Sequence, residues 1–298
     1  MSAERLPLYL GARAAVRLDD GPSLVLSAEG LAGSRVPLDR ISRLIAPVGC
    51  GLDEEVLLAC ARRGIPVLWQ ERDGTPLAWL VTPGRPPRLG WRERMAGAVA
   101  RSDWPARYGI WRSAQLAMAR RVQEERLEGF SFGAALARGS YGCGVPGEAA
   151  STGAAAQDWA RHTREDGSDP WLDALLRRTA IPLWLGRCAI GRWRGCALLL
   201  LAEHWQAIGV DAAAMVWTAR RVNIGADMAR CLALGMLEPG FRRKSSLRLW
   251  RRIALHDCAA VQHTAVTLFE HHKVAMLHLA AALHDRFHRW LLELESCR

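Results

Sequence analysis

In the N-terminal quarter of the chain, valine, isoleucine and leucine occur in short runs separated by turn sequences. Runs of this length, bounded by glycine, proline and aspartate, predict β-strands rather than helices. The predicted strands are residues 6–10, 14–18, 24–27, 35–38, 42–47, 66–70 and 76–81. The pattern therefore predicts a small β-rich unit at the beginning of the chain.

One helix interrupts these strands. Asp53 occupies the position of an N-cap, Glu54 and Glu55 follow it in the first turn, and Gly64 stands where the chain would leave the helix. Acidic residues stabilise the positive end of a helix, and glycine tolerates the left-handed conformation that commonly ends one. We therefore predict a helix over residues 53–63.

From residue 91 onward the apolar residues recur at three- and four-residue spacing, which predicts helices. The predicted helices are residues 108–127, 151–164, a segment capped by Asp169 with Pro170 at its first position, 183–208, 224–237, and one or two long helices within 245–298. Gly191 or Gly195 could interrupt the apolar helix 183–208. The glycine-rich residues 130–146 are predicted to form a loop.

The succession of strands and then helices predicts an α+β protein. Residues 82–87 contain three prolines and a glycine, a composition that continues neither a helix nor a strand. We therefore place a linker at residues 83–90, between a small β-rich domain, residues 1–82, and a larger all-α domain, residues 91–298.

The charge of the chain narrows the choice of partner. The net charge is +10 at pH 7, and only Lys244 and Lys273 are lysines, so nearly all cations are arginines. The arginine fork matches phosphate oxygens and stacks on bases, which favours a nucleic-acid partner. A genome rich in G and C would produce the same bias without any function, and both interpretations stay open on charge alone.

The eight cysteines are scattered without a C-x-x-C pair, a spacing that indicates neither a zinc site nor a dense disulfide framework. The sequence shows no signal-peptide pattern and no apolar run long enough to span a membrane. We therefore expect reduced, buried thiols in a soluble cytoplasmic protein that has no membrane partner.

Three sets of motifs follow one another along the chain: IAPV at 45–48 with GIPVLW at 64–69, then TGAAAQDW at 152–159, then AIGVD, MVWT and ADMA between 207 and 229. In this order and spacing they resemble the CRISPR-associated spacer integrases, in a shorter branch similar to type I-E. These are metal-dependent DNA nucleases that insert new spacers into CRISPR arrays. The resemblance implies a β-rich N-terminal domain that mediates dimerisation and a helical domain that binds DNA.

The resemblance also implies a divalent-metal site made of a glutamate, a histidine and an aspartate. Asp227 matches the aspartate, but Thr152 stands in the place of the glutamate and Trp217 in the place of the histidine. A threonine offers only a neutral hydroxyl, and an indole cannot bind a metal. Arg230 follows Asp227 by one turn, where an ion pair between the two would favour phosphate binding over metal chemistry. Glu148 could replace the first ligand, or it is a solvated residue at a helix start.

We therefore expect no cofactor, or Mg²⁺ or Mn²⁺ held by Asp227 and Glu148 if the protein is active. The predicted nucleic-acid-binding residues are Arg220, Arg221, Arg230, Arg242, Arg243, Lys244, Arg248, Arg251 and Arg252. Trp250 lies among them and could stack on bases, although a solvated helix face is an equal alternative. His284 and His288 lack the glutamate of an H-E-x-x-H motif, so we expect no metal there.

The expected function is that of a catalytically impaired scaffold in a spacer-acquisition complex. The resemblance implies double-stranded or spacer-precursor DNA as ligand, a homodimer or a heterodimer with an active relative, and a small ferredoxin-like adaptation subunit as partner. One alternative is an active metal-dependent endonuclease or integrase with relocated ligands, Glu148, His204 and Asp227. Another is a protein that keeps the fold for partners other than DNA, which a salt-dependent DNA affinity would exclude.

Overall fold

The structure is a computed structural model that describes residues 5–11, 14–28, 31–71, 76–80, 90–137, 169–210, 212–217, 222–253 and 257–296. Its N-terminal strands are β1 (Leu6–Tyr9), β2 (Ala15–Leu18), β3 (Ser23–Ala28), β4 (Leu31–Pro37), β5 (Ile41–Pro47), β6 (Gly51–Leu52), β7 (Val67–Gln70) and β8 (Pro76–Leu80). The seven predicted strands are confirmed, although β4 begins earlier than predicted. The sequence pattern missed β6, because two residues carry no periodicity.

The first sheet has the strand order β1-β5-β7-β8. β1, β5 and β7 are parallel, with Leu44 opposite both Leu8 and Val67, and β8 runs antiparallel to β7. Successive residues of a strand point to opposite faces. Leu44 and Ala46 therefore lie in a smaller core with the other strands, whereas Ile45 lies in the larger core of the helices.

The second sheet has the order β4-β3-β2-β6 and is antiparallel from β4 to β2. The helix α1 (Glu54–Arg62) packs Val56 and Cys60 with Leu24 of β3 in the smaller core. It begins after Asp53 as predicted, but the Asp53 side chain makes no capping hydrogen bond. It ends before Gly64, whose φ of 68° confirms the left-handed exit.

The rest of the described chain is helical apart from a short hairpin of β9 (Val216–Trp217) and β10 (Val222–Asn223). The helices are α2 (Trp91–Ala100), α3 (Trp104–Arg126), α4 (Phe132–Ala137), α5 (Pro170–Arg178), α6 (Leu183–Ile208), α7 (Ile224–Gly235), α8 (Leu237–Phe241), α9 (Lys244–Arg251), α10 (Cys258–His271) and α11 (Lys273–Ser296). The predicted α+β class, with a β-rich beginning and a helical remainder, is confirmed.

One loop prediction and two helix predictions need correction. The loop predicted for 130–146 is wrong in its first part, because α4 buries Phe132 against Phe241 and tertiary packing outweighs the glycine content there. The helix predicted for 224–237 ends at Gly235, and Pro239 lies within the separate helix α8. Residues 245–298 contain three helices rather than one or two. The predicted helix 151–164 and residues 83–89 of the predicted linker lie outside the described residues.

The central element is α6, which is buried along most of its length. It continues without interruption through Gly191 and Gly195. Gly195 allows β7 to approach closely, because a Cβ atom there would lie 1.5 Å from Nε2 of Gln70. The absence of a side chain at Gly195 therefore sets the distance between the first sheet and α6.

Two buried arginines connect the first sheet to the helices. Arg43 of β5 has no exposed surface and donates hydrogen bonds to Glu203 of α6, at 2.7 Å, and to Glu270 of α10. The hydroxyl of Tyr9 donates to the same Glu270 at 2.8 Å. Burial alone would lower the pKa of Arg43, but the nearby carboxylates Glu203 and Glu270 and the Tyr9 phenol raise it overall, so the guanidinium stays charged.

The second arginine, Arg192 of α6, donates to Oε1 of Gln70 in β7 at 2.6 Å and to Oε1 of Gln262 in α10 at 2.5 Å. We call the contacts of Arg43 and Arg192 the sheet–helix junction. Each arginine bridges three elements, so the first sheet is held against α6 and α10 by charge-assisted hydrogen bonds. The division of the chain into domains at residues 82 and 91 stays a prediction.

The described residues also bear on two expectations, namely buried free thiols and the lack of a membrane-spanning helix. Cys50, Cys60, Cys188, Cys196 and Cys231 are free thiols, and all of them except the half-buried Cys50 are buried. In this part of the chain, no helix combines the length and the apolar character that crossing a bilayer requires.

Candidate functional site

Asp227 lies in the first turn of α7, directly after the β9–β10 hairpin. The side chain of Asn223 caps this helix by accepting a hydrogen bond from the backbone N–H of Ala226 at 2.9 Å. A Cβ atom on Gly225 would lie 3.3 Å from Leu198 of α6, so α7 begins in close contact with the central helix. The positive end of the helix favours a carboxylate at this position.

Tyr108 of α3 holds the carboxylate of Asp227. Its hydroxyl donates a hydrogen bond to Oδ2 of Asp227 at 2.7 Å. Its ring stacks between Trp104, at 5.5 Å, and Trp111, at 5.9 Å, so the phenol is fixed on the buried face of α3. Burial, followed by the negative charge of Asp227, raises the pKa of Tyr108, and the hydroxyl therefore remains a donor.

Arg112 faces the same oxygen of Asp227. It follows Tyr108 by four residues, which places both side chains on one side of α3. Its Nη1 lies 4.0 Å from Oδ2 of Asp227, and 48% of the Arg112 side chain is exposed. The Asp227 carboxylate is thus shared between a buried phenol and a half-exposed guanidinium.

Arg230 does not pair with Asp227, which corrects the prediction. Its Nη2 donates instead to Oδ2 of Asp169 at 2.9 Å. Arg120 of α3 donates to both oxygens of the same carboxylate, and Asp169 caps α5 as predicted by accepting from the N–H of Leu172. Burial alone would raise the pKa of Asp169, but the hydrogen bonds of Arg120 and Arg230 outweigh it and lower the pKa. Asp169 is also the more buried of the two carboxylates, with 8% of its side chain exposed against 21% for Asp227.

The described residues around Asp227 do not fit a centre for Mg²⁺ or Mn²⁺. These ions take several oxygen ligands, whereas the contacts of Asp227 are the donors Tyr108 and Arg112. Among the residues that the structure describes, no group of three histidines, cysteines or acidic residues could hold a metal ion. Thr152 and Glu148 lie outside the described residues, and the expected absence of a cofactor stays a prediction. Trp217 lies in β9, where its backbone pairs with Val222.

Two arginines of the predicted nucleic-acid surface bind backbone carbonyl groups. Arg242 donates to the carbonyl oxygen of Arg126 at the end of α3. Arg251 donates to the carbonyl oxygens of Ala135, at 2.5 Å, and Leu136, at 3.1 Å, at the end of α4. Both arginines therefore satisfy carbonyl groups at helix ends, which the spacing of basic residues could not indicate.

The remaining basic residues near α9 are exposed. They are Arg243, Lys244, Arg248 and Arg252. Arg243 lies 3.7 Å from Glu238, a distance that contributes little at the surface. The interpretation of Trp250 as a base-stacking residue is wrong, because its ring is fully buried against Phe241 and its indole N–H donates to the carbonyl of Gly240. Arg220 and Arg221 lie outside the described residues.

The histidines that were considered as ligands form a separate cluster. His204 of α6 and His284 of α11 have ring centroids 5.8 Å apart, and His284 and His288 are 6.3 Å apart. Trp91 of α2 contacts both His284 and His288, and Arg94 lies 3.0 Å from His288. Packing rather than metal binding explains His204, as the sequence indicated.

We predict that His284 makes the protein less stable in acid. Burial, then the charge of His204, lowers the pKa of His284 to about 4; the neighbouring Asp285 opposes this shift and His288 adds to it. The unfolded chain takes up a proton near pH 6.5, and the folded chain does not until near pH 4, so stability falls as the pH decreases. Between pH 6.5 and 5 this residue should reduce the free energy of unfolding by about 2 kcal/mol.

Urea unfolding at both pH values measures this difference. His284→Gln should decrease this pH dependence by about the amount assigned to His284, whereas the exposed His278→Gln should leave it unchanged. An equal pH dependence in His284→Gln and the native protein would contradict the prediction.

Sequence reasoning missed Tyr108, Arg112 and Asp169 as members of the site. Tyr108 and Asp227 are 119 positions apart in the chain, and 61 positions separate Asp169 from Arg230. No spacing rule connects such residues. The position of Arg112 one turn after a tyrosine was visible in the sequence, but its carboxylate partner was not.

The architecture is an α+β fold with two small sheets at the N-terminus and a helical remainder built on one long buried helix. Solved structures that share this fold include Cas1 proteins. A CAS1 protein from Thermotoga maritima is 11% identical, with a TM-score of 0.52 over 96% of this chain and 96% of that chain. The resemblance to the spacer integrases is thereby confirmed at the level of the fold.

Two further solved structures have the same fold. TtCas1 in a complex with DNA is 13% identical, with a TM-score of 0.51 over 94% of this chain and 91% of that chain. A Cas6-RT-Cas1–Cas2 complex is 10% identical, with a TM-score of 0.50 over 95% of this chain and 35% of that longer chain. No protein-family model matches the sequence, and no curated protein matches it.

Proposed function

We propose that the protein is a DNA-binding scaffold of a spacer-acquisition complex and that it does not catalyse integration. The observation that carries the proposal is the state of Asp227 within a Cas1-like fold: the carboxylate is bound by Tyr108 and faces Arg112. An integrase of this kind needs a divalent ion to polarise the phosphate and activate the attacking hydroxyl. A carboxylate engaged by two donors supports binding rather than this chemistry.

The ligand of this scaffold is double-stranded or spacer-precursor DNA. One solved structure with the same fold is a complex with DNA, and another is an assembly with Cas6-RT and Cas2. The net charge of +10 and the exposed cations of α9 supply the attraction to phosphates. The partners are a second copy or an active relative, together with a small ferredoxin-like subunit, in the cytoplasm.

The alternative of an active enzyme with relocated ligands has less support. It requires His204 and Asp227 to share a metal with Glu148. The contacts of His204 are instead with His284 of α11, and those of Asp227 are with α3. An interaction protein without DNA affinity remains an outcome that the binding experiment below can reveal.

The test combines binding and catalysis in the purified protein. Duplex DNA should bind in EDTA, and its affinity should fall steeply between 50 and 200 mM salt, by roughly a factor of 10³ if about six phosphates are contacted. Lys244→Gln, Arg248→Gln and Arg252→Gln together should reduce the slope of log affinity against log salt by about 2–3. Arg62→Gln on α1 is the matched control and should leave the slope unchanged.

In the same preparation, a DNA end with a free 3′-hydroxyl should not be joined to a repeat in the presence of Mn²⁺. Joining that disappears in Asp227→Ala would overturn the scaffold proposal in favour of an active integrase. Absence of any salt-dependent DNA affinity would favour the interaction protein instead.

A further inference from the structure

The edge between α3 and α7 carries more positive than negative charge. Arg101 and Arg107 contact Asp103, Arg112 faces Asp227, and Arg120 and Arg230 contact Asp169. These contacts pair five arginines with only three aspartates. An edge of this kind attracts anions even though each arginine has an acidic neighbour.

Arg112 is the arginine of this edge with the loosest acidic contact. The guanidinium of Arg230 lies 2.9 Å from its carboxylate and that of Arg107 lies 2.6 Å from its own, whereas Arg112 lies 4.0 Å from Asp227. About half of the Arg112 side chain is exposed. The guanidinium has five N–H donors in a fixed fork, so contact with one carboxylate oxygen leaves donors for a second anion.

Asp227 and Tyr108 fix the position of the negative charge that faces this guanidinium. Tyr108 is buried and stacked between two tryptophans, and its hydroxyl fixes Oδ2 of Asp227. That oxygen faces Arg112 from the first turn of α7. The three side chains lie in the order Tyr108, Asp227, Arg112 from the aromatic core to the surface, so the arginine is at the exposed end.

We propose that Arg112 occupies the role of a metal ion in this site and binds a phosphodiester oxygen of DNA directly, with Asp227 and Tyr108 as positioning residues. This inference rests on the proposed DNA-binding function. It makes Asp227 the counter-charge of Arg112 rather than a metal ligand. DNA affinity at this site should therefore not increase when a divalent ion is added, because Mg²⁺ would only compete with Arg112 for phosphates.

The experiment measures the affinity of the full-length protein for a duplex oligonucleotide in 5 mM EDTA and in 5 mM Mg²⁺, across a salt series. Arg112→Gln should weaken binding about ten-fold and reduce the salt slope by about 1 in both buffers. Arg121→Gln is the control on the same helix, because Arg121 is exposed and paired with Glu125. It should behave as the native protein.

Tyr108→Phe tests the positioning role of Tyr108 without changing the net charge of the site. It removes only the hydroxyl, so the salt slope should stay the same while affinity falls about three-fold, without any gain in Mg²⁺. Asp227→Asn should likewise show no gain in affinity when Mg²⁺ replaces EDTA. Thermal unfolding confirms that each variant is folded.

The outcomes distinguish the inference from the function on which it rests. Equal affinities and slopes for Arg112→Gln and Arg121→Gln, with DNA bound by the native protein, would overturn the inference alone. A Mg²⁺-dependent gain in affinity that Asp227→Asn abolishes would identify Asp227 as a metal ligand and also overturn it. If the native protein binds no DNA in either buffer, the proposed function itself fails.

Discussion

Replacement of Arg43 by methionine should lower the free energy of unfolding by about 3 kcal/mol, because it leaves two carboxylates facing each other at the sheet–helix junction. Glu203 and Glu270 both direct an oxygen at the Arg43 guanidinium, and Tyr9 donates to Glu270 from β1. The two carboxylates are 23% and 24% exposed, which allows water to reach them and places the cost at the low end for a broken buried pair.

Urea unfolding followed by circular dichroism measures this loss. A second replacement, Glu270→Gln, should restore part of the stability in the Arg43→Met background, since it removes one of the repelling charges. Arg121→Met is the matched control: its ion pair with Glu125 has side chains 82% and 64% exposed and should contribute less than about 1 kcal/mol. A loss below about 1 kcal/mol in Arg43→Met would show that the junction contributes little to stability.

A methyl group at Gly195 should destabilise the protein by about 3 kcal/mol, through overpacking and a disturbed hydrogen bond. The added Cβ atom would lie 1.5 Å from Nε2 of Gln70 and 3.0 Å from a methyl carbon of Leu68. Gln70 is buried, and its Oε1 accepts the hydrogen bond of Arg192, so the amide cannot move without releasing a buried guanidinium.

Gly109→Ala is the control for Gly195→Ala. Gly109 lies within α3, and a methyl group added there would meet no atom of a neighbouring element within 4 Å, so alanine should stabilise the helix by up to about 1 kcal/mol. Thermal unfolding of the two variants should therefore shift in opposite directions. Equal shifts would show that the close approach of β7 to α6 is not constrained by Gly195.

The local elements were predictable from the sequence wherever a short-range pattern determines them. The helix from Glu54 to Arg62 has its acidic first turn and Gly64 exit within a dozen residues, and both were confirmed in position. The Asp169-Pro170 start of α5 was confirmed with its capping hydrogen bond. The bounds of α6 were correct to the residue, because a strongly apolar segment of this length predicts a buried helix rather than a strand.

Errors occurred where tertiary packing outweighs local preference. Residues 132–137 are helical despite their glycine, since Phe132 finds a buried partner in Phe241. Pro239 lies within a helix because a new helix begins two residues before it, where the missing N–H of proline costs nothing. The residues after 241 are basic as predicted, but Arg242 and Arg251 donate hydrogen bonds to backbone carbonyl groups at helix ends.

By itself the sequence determined the α+β class, the order of most elements and the resemblance to the spacer integrases, because strand runs, helix periods and motif spacings are all local properties. The partners of Asp227 were decided by the tertiary structure alone. The sequence predicted an ion pair between Asp227 and Arg230, one turn away. In the structure Arg230 binds Asp169 instead, which is more buried and also binds Arg120. Tyr108 and Arg112 reach Asp227 because α3 packs against α7, a contact that no sequence interval specifies.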